Sequence, residues 1–312
     1  MKFAEKERLF WAEVLTIRGS ASPLIVPRAL LIGLFALIVT AVDIDARLPK
    51  LGIDITPFEW VGGVLSLLLV LRTNAGYDRW WEGRRLWGGI VNQCRNLAIA
   101  ALSYGPDDQA WRERIVRCAA AFPHAARLSL RGERTPTALI NMLGPDGAER
   151  VLGAEHMPSA VARLIGEALH DARDRLGLDG FALLRIDTER AALIDHIGGC
   201  ERVLKTPLPL AYRVEIRRFV VAFLGSLPFA LVDRLAWWTP VVTMLIALPL
   251  LAVDKIGTEL QYPFSTDSLN HLPLDEICAT IEQNLLAMLE SQARVPSSAV
   301  ASTRSGVVNP SV

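Results

Sequence analysis

The sequence predicts an all-α membrane protein with four transmembrane helices and a helical soluble domain. Hydrophobic residues make up 51% of the 312 residues and mean hydropathy is +0.30, both high for a soluble chain of this length. The apolar residues gather in paired runs: Ala29 to Val42 with Trp60 to Leu71, and Phe219 to Val232 with Leu235 to Val253. Lys and Arg crowd the N-terminal stretch and the regions after Leu71, before Phe219 and after Val253, while the short turns inside each pair carry few. Four crossings with both termini in the cytoplasm satisfy that asymmetry each time. Only Leu235 to Val253 reaches the roughly 18 apolar residues of a full span, so a large all-helical soluble protein is the competing reading.

Taken in order, the first stretch, MKFAEKERLFWAEVLTIRGS, places Phe3, Leu9, Phe10, Val14 and Ile17 at helical spacing, as in an amphipathic helix on a membrane or against a partner helix. After Pro23 and Pro27 comes the first apolar run, with Arg28 at its edge. A loop containing Asp43, Asp45, Arg47, Pro49 and Lys50 leads to Thr56-Pro57, a helix start, and to the second run. No proline interrupts the chain from Leu65 to Asn96, so one helix is expected to leave the membrane and continue into water. Its charges, Arg72 and Asp78 through Arg95, would not stay unpaired in lipid, and Tyr77, Trp80, Trp81 and Trp87 form an aromatic packing face.

From Tyr104 the composition turns soluble, with GPDD, RGERTPT, GPDG and GLDG punctuating helices expected near 107–127, 136–143, 158–176 and 181–204. The second apolar pair follows, with Trp237 and Trp238 suited to a headgroup interface. Leu274 to Leu289 reads as an amphipathic helix with acids in its first turn, and the Ser-rich tail after Ser291 as disordered. The division is therefore 1–103 (N-terminal helix, first hairpin, pore-type helix), 104–207 (cytosolic helical domain), 208–256 (second hairpin), 257–290 (C-terminal segment and helix) and 291–312 (tail).

Several function classes are excluded by composition. Net charge is +0 from 33 basic and 33 acidic side chains, which leaves no field to recruit nucleic acid. Cys94, Cys118, Cys200 and Cys278 lie far apart without CxxC spacing, as reduced apolar residues do. The five histidines, His124, His156, His170, His196 and His271, are scattered, and none makes HExxH or a close pair with a carboxylate at metal spacing, so no metal and no cofactor is expected. Nucleophile elbows, P-loops and dinucleotide fingerprints are missing, and the pairs Asp107-Asp108 and Asp275-Glu276 sit where helix capping explains them. An enzyme is not indicated.

Gly63, Leu67 and Leu71 recur every four residues on one helical face, continued upward by Glu59. Copies of such a face ringed about an axis would make a narrow constriction that gates by dewetting, while ordinary packing or lipid contact explains the same spacing.

Four ordered stretches bear on that choice: RTNAGYDRWWEGRRLWG at 72–88, ERVLKTPLPLAY at 201–212, GTELQYPF at 257–264 and PLDEICATIEQNLL at 273–286. Together they resemble the bestrophin family in its bacterial branch. The resemblance implies a homopentameric ion channel of the cell inner (plasma) membrane, with the second membrane helix of each subunit lining one axial pore. It implies a hydrophobic neck at Gly63, Leu67 and Leu71, a cytosolic aperture at Leu208 and a structural signature at Arg72, Asn74, Tyr77, Arg79, Trp80 and Trp81. Partners would be other copies of the chain, small inorganic ions and the bilayer. The chain departs from animal members in its aliphatic neck and in the stretch Ser265 to Asn270, where Asp267 alone stands in place of a dense acidic cluster; one carboxylate is too few for a strong calcium site. Chloride or another small anion is the expected cargo. Glu59, if it faced the axis, would favour sodium, and a secondary transporter or a non-conducting scaffold are the readings from other classes.

Overall fold

A computed structural model describes residues 22–45 and 50–293, and all nine α-helices among the described residues can be traced to sequence signals. The expected N-terminal amphipathic helix, most of the loop around Arg47 and Pro49, and the tail beyond 293 lie outside the described residues. The helices are α1 (Ser22–Ile44), α2 (Thr56–Tyr104), α3 (Gln109–Arg131), α4 (Thr137–Leu152), α5 (Met157–Leu176), α6 (Gly180–Lys205), α7 (Leu210–Leu235), α8 (Thr239–Glu259) and α9 (Leu274–Ala293). They group into two compact units, Met1–Glu82 with Thr206–His271 and Gly83–Lys205 with Leu272–Val312; α2 contributes to both.

The first unit is built from α1, the N-terminal part of α2, α7 and α8. Its core is largely aliphatic, with Leu65 and Leu69 of α2 against Ile216, Val220, Leu224 and Leu227 of α7 and Ala247 of α8, together with Phe223. Helix α1 packs closely on α8: Gly33 lies against the Met244 side chain, whose flexible thioether end would have to move to admit a Cβ there. The segment before α2 is pinned by Asp43, whose carboxylate accepts from Leu51 N at 2.6 Å, and by Ile53 N donating to Phe229 O at 2.9 Å.

The outer surface of this unit is as apolar as its core. Leu31 is 67% exposed, Trp60 77% and Leu245 63%, with Leu30, Leu34 and Ile38 on the same helix as Leu31. Contiguous exposure on that scale is at home in lipid rather than in water. Two stretches of the described residues are long and apolar enough to cross a membrane, Ser22–Ile44 and Leu210–Glu259.

Two elements differ from expectation here. The run Leu235 to Val253 is not one helix: α7 ends at Leu235, Ala236–Trp238 form a single 3₁₀ turn with Ala236 at φ 44°, and α8 starts at Thr239. Pro240 in the first turn of α8 cannot continue a helix from α7 but suits the start of a new one. Helix α8 also runs past Val253 to Glu259, so Asp254, Thr258 and Glu259 are helical.

The second unit is polar outside and centred on α3. That helix is nearly all buried along Ala119, Ala120, Ala121, Phe122, Ala125 and Ala126, and the alanines let α5 and α9 approach closely. Asp108 caps α3 by accepting from Trp111 N at 2.7 Å, and Gly132 ends it at φ 69°, a left-handed position open to glycine at no steric cost. Helix α4 continues past the expected stop at GPDG: Gly144 kinks it at φ 72°, and Pro145, whose fixed φ suits a first helical turn, restarts it. The four cysteines are free and buried, and burial pushes the thiol of Cys118 up to about 11 and that of Cys278 up to about 12.

Two of the histidines take carboxylate partners through the fold. His124 Nε2 lies 2.8 Å from Glu282 Oε2 across α3 and α9, and His156 Nε2 lies 2.5 Å from Glu201 Oε1. Neither pairing is visible in sequence because the partners are 158 and 45 residues apart.

Candidate functional site

The N-terminal half of α2 shows two opposed stripes. Leu65, Leu69, Arg72 and Gly76 are all buried, at spacings of four, three and four that keep them on one side of a helix. Gly63, Leu67 and Leu71 are exposed; Leu67 keeps 59% and Leu71 50% of its surface, and nothing lies within 4 Å of where a Gly63 Cβ would be. At about 100° per residue, the centre of the second stripe lies about 140° round the helix from Arg72. Glu59 is exposed in the first turn of α2 and continues the open stripe. Within one chain, these side chains have their apolar surface uncovered.

The buried stripe explains why the open one faces outward. Arg72 is fully buried and forms an ion pair with Asp254 on α8, and its Nη2 donates to Thr258 Oγ1 at 2.8 Å. Arg217 of α7 shares the carboxylate, with its Nε 3.6 Å from Asp254 Oδ2. One turn on, Gly76 lets the α2 and α8 backbones meet: a Cβ there would sit 2.8 Å from Gly257 O. Asp254, Gly257, Thr258 and Gln261 were not among the residues singled out from sequence. The available signal was an acid closing the last apolar run at Val253, opposite an arginine closing the second run at Leu71.

Further along α2 the signature residues tie three of the four motif stretches together. Arg79 donates to the carbonyl oxygens of Thr206 and, at 3.5 Å, Gln261. Trp80 Nε1 donates to Asn270 O at 2.8 Å, and Arg213 Nη1 to Tyr262 Oη at 2.8 Å. The segment after Pro263-Phe264 folds back on Glu259, whose Oε2 accepts from Leu269 N at 2.9 Å and whose Oε1 pairs with Lys255.

The aromatic face expected at Tyr77, Trp80, Trp81 and Trp87 divides. Trp87 is fully buried and Trp80 partly so, but Tyr77 and Trp81 are each half exposed, stacked at 6.5 Å with an interplanar angle of 8°. Asn74 is exposed. Leu208 is not on α2; it lies half-buried between Pro207 and Pro209 in the link from α6 to α7.

This is an all-helical protein whose best-organised polar cluster ties the exit of one apolar helix segment to another. The family model described as Bacterial/Fungal Bestrophin protein matches residues 1–287. The chain is 35% identical over 276 residues to a voltage-dependent anion channel-forming protein of Nostoc sp. (strain PCC 7120), covering 86% of this chain and 88% of that one. It is 34% identical over 280 residues to a voltage-dependent anion channel-forming protein of Ralstonia nicotianae, covering 89% and 91%. The crystal structure of a bacterial bestrophin homolog from Klebsiella pneumoniae matches with a TM-score of 0.77 and 30% identity, over 85% of this chain and 98% of that one. The chain belongs to the bestrophin family, in its bacterial and fungal branch.

Proposed function

We propose that the chain assembles into a homopentameric channel for small monovalent anions, chloride first, in the cell inner membrane. The observation that carries this is the open aliphatic stripe Gly63–Leu67–Leu71, backed by a buried stripe, in a chain 35% identical to an anion channel-forming protein. Five α2 helices around an axis would cover that stripe with copies of itself. The result is a water-poor neck that passes ions when hydrated and blocks them when it dewets. Leu208, held between two prolines, forms the second constriction. Each subunit crosses the bilayer with α1, the first part of α2, α7 and α8, and both termini and the second unit are cytoplasmic. The protein is a conduit, not an enzyme.

Calcium independence follows from the segment after Phe264. Asp267 is its one carboxylate, and the nearby Glu259 is engaged by Lys255 and Leu269 N. A sodium-selective pore of the same fold has one observation in its favour, the exposed Glu59 at the first turn of α2. Reversal potential decides between them, measured on purified protein in a planar bilayer under an asymmetric sodium chloride gradient. A shift toward the chloride equilibrium potential is expected. A shift toward sodium overturns the anion assignment and makes Glu59→Gln the next variant, and absence of current overturns the channel reading.

A further inference from the structure

We propose that Arg72 is a positioning residue for the pore: its ion pair with Asp254, braced by Thr258, fixes the rotation of α2 about its own axis and thereby aims Gly63, Leu67 and Leu71 at the permeation path. The proposal rests on the pore reading above and adds what sets the face of the helix.

Before Arg72, the contacts that Leu65 and Leu69 of α2 make with α7 are not directional, and the hydrogen bonds of Arg79 and Trp80 come two turns further on. Leu65 and Leu69 meet aliphatic side chains of α7, and such a surface tolerates small rotations because one methyl replaces another. A guanidinium is different: its planar fork bonds a carboxylate in a few orientations only. Arg72 is completely buried, and one nitrogen is engaged by Asp254 and another by Thr258 Oγ1. Thr258 is itself held, donating to Asp254 O at 2.8 Å one helical turn back. The partners thus sit on a rigid helix face, not on a loop.

Place matters as much as strength. Arg72 follows Leu71 directly and points to the side of α2 away from the open stripe, so the angle of the pair sets the angle of the neck. Gly76 and Gly257 keep the two backbones in contact one turn further on, which limits how far the pair can part. Arg217, about half exposed, holds the second carboxylate oxygen and Thr258 Oγ1 at 3.4 Å, so Asp254 stays oriented toward α2. The Arg72 side chain has no exposed surface, so its guanidinium cannot exchange Asp254 for solvent.

The test uses single cysteines read by current in planar bilayers, with a charged thiol reagent added after opening. The natural cysteines are buried and serve as a silent background. Leu71→Cys is expected to be modified at least ten times faster than Ser66→Cys, at an exposed position about 140° round the helix from Leu71 and about 100° from the centre of the open stripe. Adding Asp254→Asn is expected to bring the two rates within about three-fold, and Asp254→Glu to restore most of the difference. Equal rates at the two positions in the otherwise natural chain overturn the pore reading itself. A rate ratio untouched by Asp254→Asn, with Leu71→Cys still the faster, overturns the peg and leaves the pore standing. Should Asp254→Asn fail to assemble, Thr258→Val decides: it removes the brace without changing charge, is expected to lower the ratio by a smaller factor, and overturns the proposal if the ratio stays the same.

Discussion

His124 illustrates how tertiary packing gives a chemically bland residue a definite role. Its ring is buried, and burial pushes its pKa below the ordinary imidazole value, while the neighbouring Glu282 pulls the other way and only partly offsets that. The charged groups facing it are Arg127 on its own helix and Asp275 and Glu282 on α9. Because the folded state holds the neutral ring, the stabilisation is complete above the ordinary value of about 6.5 and is lost as pH falls through the lower folded value. The melting temperature of purified protein should therefore fall on acidification from about pH 7.5 to 5.5, and His124→Gln, which can still donate to Glu282, should flatten that slope. Asp275 acts in a separate window. Burial raises its pKa, but Arg131 and Arg127 outweigh it, so its contribution is present above the ordinary carboxylate value and is lost only as pH falls below it. The histidine's environment was not legible in sequence because each partner on α9 lies about 150 residues away; the period of α3 placed His124 on a helix but not which side of it was covered.

At the scale of elements, the sequence carried what is local. Helices α3, α5 and α6 fall within a few residues of expectation because their caps and glycine stops are encoded where they act. The turn expected between Val232 and Leu235 falls about three residues later, at Ala236–Trp238, and the restart of α4 after Gly144 was missed, since both depend on how a proline or glycine is used rather than on its presence. The exposed stripe of Gly63, Leu67 and Leu71 was legible as one helical face because a four-residue period needs no knowledge of the partner, whereas Asp254 was not, being 182 residues from Arg72. Two outcomes belong to this scale. Leu67→Ala and Leu71→Ala should each raise single-channel conductance by removing methyl groups from the proposed dewetting constriction, and unchanged current in both would overturn the placing of α2 along the pore. Gly76→Ala should cost about 1–3 kcal/mol, because its methyl group would press on a backbone oxygen that cannot rotate away; a thermal melt in detergent checks it.

For the whole molecule the question is what covers the surface that one chain leaves bare. Lipid suits Leu31, Leu34 and Ile38 of α1, but it does not suit the half-exposed Tyr77–Trp81 stack, which sits among Asn74, Asp78 and Arg85, all exposed. A stacked aromatic pair ringed by polar side chains is the composition of a protein interface centre. Trp80, which also stacks on Tyr77 at 6.2 Å with an interplanar angle of 24°, is less exposed and spends its indole N–H within its own chain on Asn270 O. The two tryptophans should therefore separate in one experiment. Native mass spectrometry of detergent-extracted protein should give a species of five times the 34.3 kDa chain. Trp81→Ala should shift the population toward smaller assemblies, by about 2 kcal/mol or more per interface if the stack behaves as an interface hot spot. Trp80→Ala should leave more of the pentamer intact while lowering the melting temperature, since it loosens the segment after Phe264 from α2. The reverse ranking would mean that the subunits meet on the Trp80 side of the helix and that Tyr77 and Trp81 face water or lipid.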